Sequence, residues 1–164
     1  PADIPSGIAA AAEALAVRTV QALEGVGVFG IEMFLAKGGR LLVNEVAPRT
    51  HNSGHYTIEA CVTDQFEQHL RAILGLPLGA TDQLSPAAMI NLLGAAGHTG
   101  RPVIKGMAAA LSIPGVCLHI YGKATTKPFR KMGHVTVLDS DIREAGRKAE
   151  LVRGLMEITG EDHP

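Results

Sequence analysis

Apolar residues recur at helical spacing through Ile8, Ala11, Ala12, Leu15, Val20 and Leu23, which predicts a helix over residues 6–24. Ser6 reads as its cap and Gly25 as its stop. Two apolar runs follow, residues 28–35 and 40–46, around the pair Gly38-Gly39. That pattern reads as a β-hairpin. Residues 47–56 (APRTHNSGHY) form a polar loop punctuated by Gly and Pro. A second helix is predicted over residues 64–74, with Phe66, Leu70, Ile73 and Leu74 on one face and Gly75 and Pro77 ending it. The composition of residues 77–86 is that of a linker, so a boundary is set there, giving domains of residues 1–79 and 80–164. Beyond it, short strands are predicted at 88–93, 109–113, 117–121 and 134–138. A last helix is predicted over 141–160, with Ile142, Ala145, Leu151, Leu155 and Ile158 partly on one side.

The hairpin carries a charge pattern that its apolar context makes costly. With Gly38 and Gly39 as a two-residue turn, Lys37 faces Arg40 and Glu32 lies directly across from Glu45. Like charges in direct cross-strand opposition are destabilising. A hard divalent cation offsets the repulsion, because carboxylate oxygens are its preferred ligands, and magnesium fills its remaining shell with phosphate oxygens. A longer turn would shift the register and leave one Glu to solvent. The segment after the hairpin adds Asn44, Arg49, His51, Asn52, Ser53 and His55 within twelve positions of each other. Arg offers a planar fork to phosphoryl oxygens, and Asn and His donate to a developing oxyanion. Together these residues suit phosphoryl transfer.

Composition narrows the function classes. Apolar residues make up 46% of the 164, so a sizeable core can be buried, while the formal net charge of -1 argues against general binding to nucleic acid or to a membrane surface. Glycine is abundant (19 residues) and Trp is absent, as in a loop-rich enzyme-like domain. No apolar run reaches the ~20 residues of a membrane span, and no targeting signal opens the chain. Cys61 and Cys117 are too few for a disulfide framework and read as buried thiols in the reducing cytosol. The chain opens at Pro1 without Met, from which a piece of a longer protein is expected. Positive charge concentrates once, at Lys123, Lys127, Arg130, Lys131 and His134, where Gly122 and Gly133 allow close approach of backbone to a ligand. This reads as a phosphate-binding loop or as a solvated basic turn.

Several stretches resemble carboxyaminoimidazole ribonucleotide synthetase, the ATPase subunit of phosphoribosylaminoimidazole carboxylase and a member of the ATP-grasp superfamily. They are NEVAPRTHNSGHYTIEAC from Asn44, QFEQHLRAILGLPLG from Gln65, MINLLG from Met89, YGK from Tyr121 and RKMGHVTV from Arg130. The resemblance implies an α+β fold: the C-terminal part of an ATP-grasp domain, antiparallel sheet with helices, followed by a small β-rich domain with a terminal helix. It implies a homodimeric cytoplasmic ligase of purine biosynthesis that uses ATP, magnesium and bicarbonate to carboxylate aminoimidazole ribonucleotide through carboxyphosphate. By this likeness Glu32 and Glu45 are the metal pair, and Asn44 and Glu45 border the nucleotide. Arg49, His51 and Asn52 surround bicarbonate, and Lys123, Arg130 and Lys131 hold the ribonucleotide 5′-phosphate. The N-terminal and lid domains are expected to precede Pro1, and in some lineages a carboxylase domain follows. A bulky Phe129 stands where the family has a flexible Gly, while Lys127 keeps the charge of the family's Arg. Two other readings stand beside this one: a formate-using purine transformylase, and a non-catalytic half that acts in dimerisation.

Overall fold

In the computed structural model, which describes residues 4–161, the first apolar stripe forms helix α1 (Ser6–Ala22). Its ends differ from the expected ones. Pro5 occupies the cap position and no side chain caps the helix, so Ser6 is its first residue and not its cap. The stop falls at Glu24, not Gly25, because Glu24 itself turns left-handed at φ 50°. The hairpin follows as β1 (Gly30–Leu35) and β2 (Leu41–Ala47), paired antiparallel. A short 3₁₀ turn (Asn52–Gly54) and helices α2 (Thr57–Ala60) and α3 (Gln65–Ile73) come next. Asp64 caps α3, accepting hydrogen bonds from the Phe66 and Glu67 N–H groups at 2.7 and 3.0 Å.

The chain divides into two compact units. One runs to Gly54 and includes Thr63–Thr81; the other comprises His55–Val62 and the chain from Asp82. In the first unit, α1 has no fully buried residue. The apolar face expected of α3 (Phe66, Leu70, Ile73, with Leu74 beyond its end) is exposed, as are Phe34, Leu35, Leu42 and Val43 of the hairpin.

The second unit holds the core. Strands β3 (Ala87–Leu93), β6 (Lys131–Leu138) and β5 (Val116–Ile120) form a sheet in that order, with β6 central and antiparallel to both neighbours. Helix α5 (Ile142–Leu155), capped by Asp141, packs on it. Ile90, Leu92, Val135, Val137, Ala149 and Val152 meet in one apolar cluster. Two expectations fail here. Residues 109–113 do not form a strand: Met107–Leu111 is a helix, α4, as its three consecutive alanines favour. The last helix does not reach residue 160: the chain leaves it at Met156 and forms β7 (Glu157–Glu161), which pairs with β4 (Arg101–Lys105). Ile158 is therefore a core residue of a strand, not part of a helix face. Cys61 and Cys117 are free but only half-buried. Burial raises both thiol pKa values, and the nearby Glu59 raises that of Cys117 further. Among the described residues no helix is long and apolar enough to cross a membrane.

Candidate functional site

The carboxylate pair forms, though by a different route from the two-residue turn. Gly39 N–H donates to the Ala36 carbonyl and Ala36 N–H to the Arg40 carbonyl, so Lys37, Gly38 and Gly39 make a three-residue tip. Both glycines sit left-handed, at φ 81° and 82°. Lys37 consequently does not face Arg40. Leu35 pairs with Leu41, Phe34 with Leu42 and Met33 with Val43. Continued outward, that register would set Glu32 against Asn44. A β-bulge intervenes, the extra residue on β2 being Asn44, and Glu32 pairs with Glu45 after all.

Around this pair the first unit assembles a polar set. The Asn44 side-chain N–H₂ reaches Glu32 Oε2 at 3.5 Å, and His51 Nε2 lies 3.5 Å from Glu32 Oε1. The His51 tautomer follows from its other nitrogen: the Ser53 backbone N–H donates to Nδ1 at 3.4 Å, and the Ser53 hydroxyl lies 2.8 Å away. With Nδ1 accepting, the ring proton sits on Nε2 and points at the carboxylate. The backbone of His51 is clamped by Gln65, whose amide accepts from the His51 N–H and donates to its carbonyl, both at 2.9 Å. Gly30 permits the approach, since a Cβ there would meet the His51 side chain at 2.7 Å. Asn52 opens the 3₁₀ turn. Arg49 is exposed, with Nη1 donating to the Thr50 carbonyl at 2.9 Å. The structure thus brings Glu32, Asn44, Glu45 and His51 together.

Two opposed carboxylates suit a magnesium ion that completes its shell with phosphate oxygens. They do not suit a metal held by protein alone. Among the described residues no group of three or more His, Cys, Asp or Glu could hold an ion.

The basic residues of the second unit are separately tethered. Lys123 Nζ donates to the Lys131 carbonyl at 2.5 Å, and Arg130 Nη1 donates to the Thr125 carbonyl at 2.7 Å. Lys123 lines a cavity of about 290 Å³ with Arg101, Gly122, Ile120 and Met132; Arg130 and Lys131 do not line it. Lys127 is exposed. Phe129 is 72% exposed and left-handed at φ 62°. For a non-Gly residue that conformation costs about 1–2 kcal/mol, and Gly gives back about 0.5–1 kcal/mol through its freedom in the unfolded chain. Phe129→Gly is therefore expected to stabilise the protein by about 0.5–1 kcal/mol, read as a higher urea midpoint at unchanged slope.

Three histidines form a stack that the sequence does not announce. His134 lies between His119, at 4.3 Å and 10° between ring planes, and His55, at 4.6 Å and 20°. His119 and His134 are direct cross-strand partners of β5 and β6. His119 Nε2 contacts Glu59 Oε1 from α2, and His134 Nδ1 lies 2.9 Å from the Tyr121 hydroxyl. Burial, then the neighbouring His119 and His55, lowers the His134 pKa to about 4, so the ring is neutral at pH 7. Gln65, Glu59, His119 and Tyr121 are the site-forming residues that the sequence reading left out. Gln65, Glu59 and Tyr121 lie inside the motif stretches, which was their only signal, and His119 lies outside them. His119 packs through its contact with Glu59.

Known proteins bear on these two residue sets. Residues 1–66 match the ATP-grasp domain, and residues 87–148 match the phosphoribosylaminoimidazole carboxylase C-terminal domain. The chain is 56% identical to N5-carboxyaminoimidazole ribonucleotide synthetase from Thermotoga maritima, with a TM-score of 0.92 over 98% of this chain and 45% of that one. It is 40% identical, with a TM-score of 0.80, to N5-carboxyaminoimidazole synthase from Aspergillus clavatus in complex with ADP and 5-aminoimidazole ribonucleotide, covering 93% of this chain and 41% of that one. Among curated relatives, phosphoribosylaminoimidazole carboxylase of Schizosaccharomyces pombe is 48% identical over 93% of this chain and 28% of its own length. The N5-carboxyaminoimidazole ribonucleotide synthase of Synechococcus elongatus is 52% identical over 84% of this chain and 34% of its own. The chain thus spans about a third of the length of these curated relatives.

Proposed function

We propose, from the premise that the chain belongs to the ATP-grasp enzymes bearing a phosphoribosylaminoimidazole carboxylase C-terminal domain, that it forms part of a ligase carboxylating aminoimidazole ribonucleotide with ATP and bicarbonate. The observation that carries this reading is the opposed pair Glu32 and Glu45, recovered by a bulge and flanked by Asn44 and His51. A pair of like charges on an exposed hairpin has no structural benefit, and nucleotide chemistry gives it one.

In this reading Glu32 and Glu45 hold magnesium, which neutralises the β- and γ-phosphate oxygens when bound. Asn44 borders the nucleotide. Arg49, His51 and Asn52 surround bicarbonate as it attacks the γ-phosphorus to give carboxyphosphate and ADP. His51 is suited to this by its oriented Nε2–H and its backbone, immobilised by Gln65. Carboxyphosphate then delivers its carboxyl carbon to the amine of the ribonucleotide, releasing phosphate. Lys123, Arg130 and Lys131 bind the 5′-phosphate through charge-assisted hydrogen bonds. The setting is cytosolic, where two free thiols persist, and the working form is a homodimer.

The test joins residues 1–164 to the portion of the Thermotoga maritima synthetase that this chain leaves unmatched. The chimera is expected to release phosphate only when both bicarbonate and aminoimidazole ribonucleotide are present. The isolated chain is expected to release none, because a half-site neither excludes water nor holds the γ-phosphate in line. Turnover that requires formate would instead favour a transformylase. A folded, inactive chimera would favour a dimerising half.

A further inference from the structure

Lys123 is held in a way that its neighbours in the basic cluster are not. The Tyr121 N–H donates to the Met132 carbonyl at 2.9 Å, extending the ladder one residue past β5. Gly122 then turns left-handed, at φ 65°, and folds the chain back. As a result the Lys123 ammonium lies 5.6 Å from the centroid of the Tyr121 ring while it donates to the Lys131 carbonyl. A ring face attracts a cation only when the cation sits over it, so the tilt of the ring fixes the strength of the contact.

That tilt is set from below. The Tyr121 hydroxyl is tied to His134 Nδ1 at 2.9 Å, with the two rings at 51°. His134 cannot swing, because His119 and His55 stack on its two faces, and His119 is itself anchored by Glu59. An uncharged ring in this place adds no repulsion to the lysine above it. A cationic one would. Burial of the polar stack under α2 thus has a use beyond packing.

Resting on the ligase reading, we propose that Tyr121 and His134 are positioning residues that seat the Lys123 ammonium for the ribonucleotide phosphate. The chain of contacts runs from Glu59 through His119 and His134 to Tyr121 and Lys123, and lies wholly within the second unit. Tyr121 and His134 act through Lys123 and do not touch the substrate.

A double-mutant cycle in the chimera decides this. Tyr121→Phe deletes one oxygen and keeps the ring. It is expected to raise the KM for aminoimidazole ribonucleotide roughly three- to tenfold, the worth of one hydrogen bond, with kcat and the KM for ATP nearly unchanged. In a Lys123→Ala background the same change is expected to have no further effect, because the group it positions is gone. His134→Gln, which keeps a polar partner for the hydroxyl, is expected to fall between wild type and Tyr121→Phe. An equal effect of Tyr121→Phe in both backgrounds, or none in either, overturns the positioning role and leaves the ligase reading standing. An unchanged KM in Lys123→Ala itself overturns both the positioning role and the assignment of Lys123 to the 5′-phosphate.

Discussion

Glu45→Gln in the chimera is expected to remove most ATPase activity, by roughly a hundredfold or more, the scale seen when one electrostatic element of a charge-stabilised transition state is deleted. Gln keeps the size of Glu and one oxygen acceptor but loses the charge that a magnesium ion requires. The structure adds an unusual control. Glu45 sits directly across from Glu32 on an exposed hairpin, so without metal the pair costs about 0.2–1 kcal/mol in like-charge repulsion. The same substitution is therefore expected to leave the thermal midpoint of the isolated chain unchanged or slightly higher. Activity and stability then move in opposite directions, which damage to the fold does not produce. Full turnover of the variant at saturating magnesium would contradict the assignment.

Arg130→Ala is expected to raise the KM for aminoimidazole ribonucleotide tenfold or more and to leave the KM for ATP in place. The ribonucleotide carries a phosphate monoester, close to dianionic at neutral pH. A charge-assisted hydrogen bond shielded from water contributes about 1.5–3 kcal/mol, and ~1.4 kcal/mol is one factor of ten. Arg130 spends one N–H on the Thr125 carbonyl, which orients the guanidinium and leaves its other donors for a ligand. Thr125 is exposed, so water replaces that bond at little cost in the variant. A merely solvated basic turn predicts no change in either constant. A selective loss of ATP affinity would assign the loop to the nucleotide. Steady-state kinetics with each substrate varied in turn separates the three outcomes.

The sequence made the helices α1 and α3 legible because each carries its own period, while the place of Asp64 as the cap of α3, and not its first residue, emerged only from the structure. Strands β3, β5 and β6 were legible as apolar runs bounded by turn residues, but β4 and β7 were not. Strand β4 pairs with β7, more than fifty residues away along the chain, and Glu157-Ile-Thr-Gly-Glu carries no local sign that it leaves a helix. The run Met107-Ala-Ala-Ala-Leu was short and apolar enough to pass for a strand, and the helix propensity of alanine decided otherwise. The opposed glutamates were found through a wrong turn. A two-residue tip and an unbroken ladder lead to the same pair as a three-residue tip and one bulge, since the two one-residue errors cancel. The basic cluster was visible as composition, but its internal differences were not. Nothing in the spacing distinguishes Lys123, over an aromatic ring, from Lys127 in solvent. The histidine stack was hidden for the same reason as β7: His119 and His134 become neighbours only through sheet register.

The bulge at Asn44 has a mechanical consequence for the hairpin. Between the tip and the acid pair it acts as a joint that resets the phase of the ladder, so the alignment of Glu32 with Glu45 is decided next to them and not at the far end. Tip length and acid alignment become two separate adjustments. Residues 37–39 can thus accept a grafted loop or a probe without transmitting a slip to the carboxylates, whereas deleting Asn44 would remove the bulge and leave Glu32 and Glu45 opposed on an unbroken ladder, without the side-chain amide now beside them.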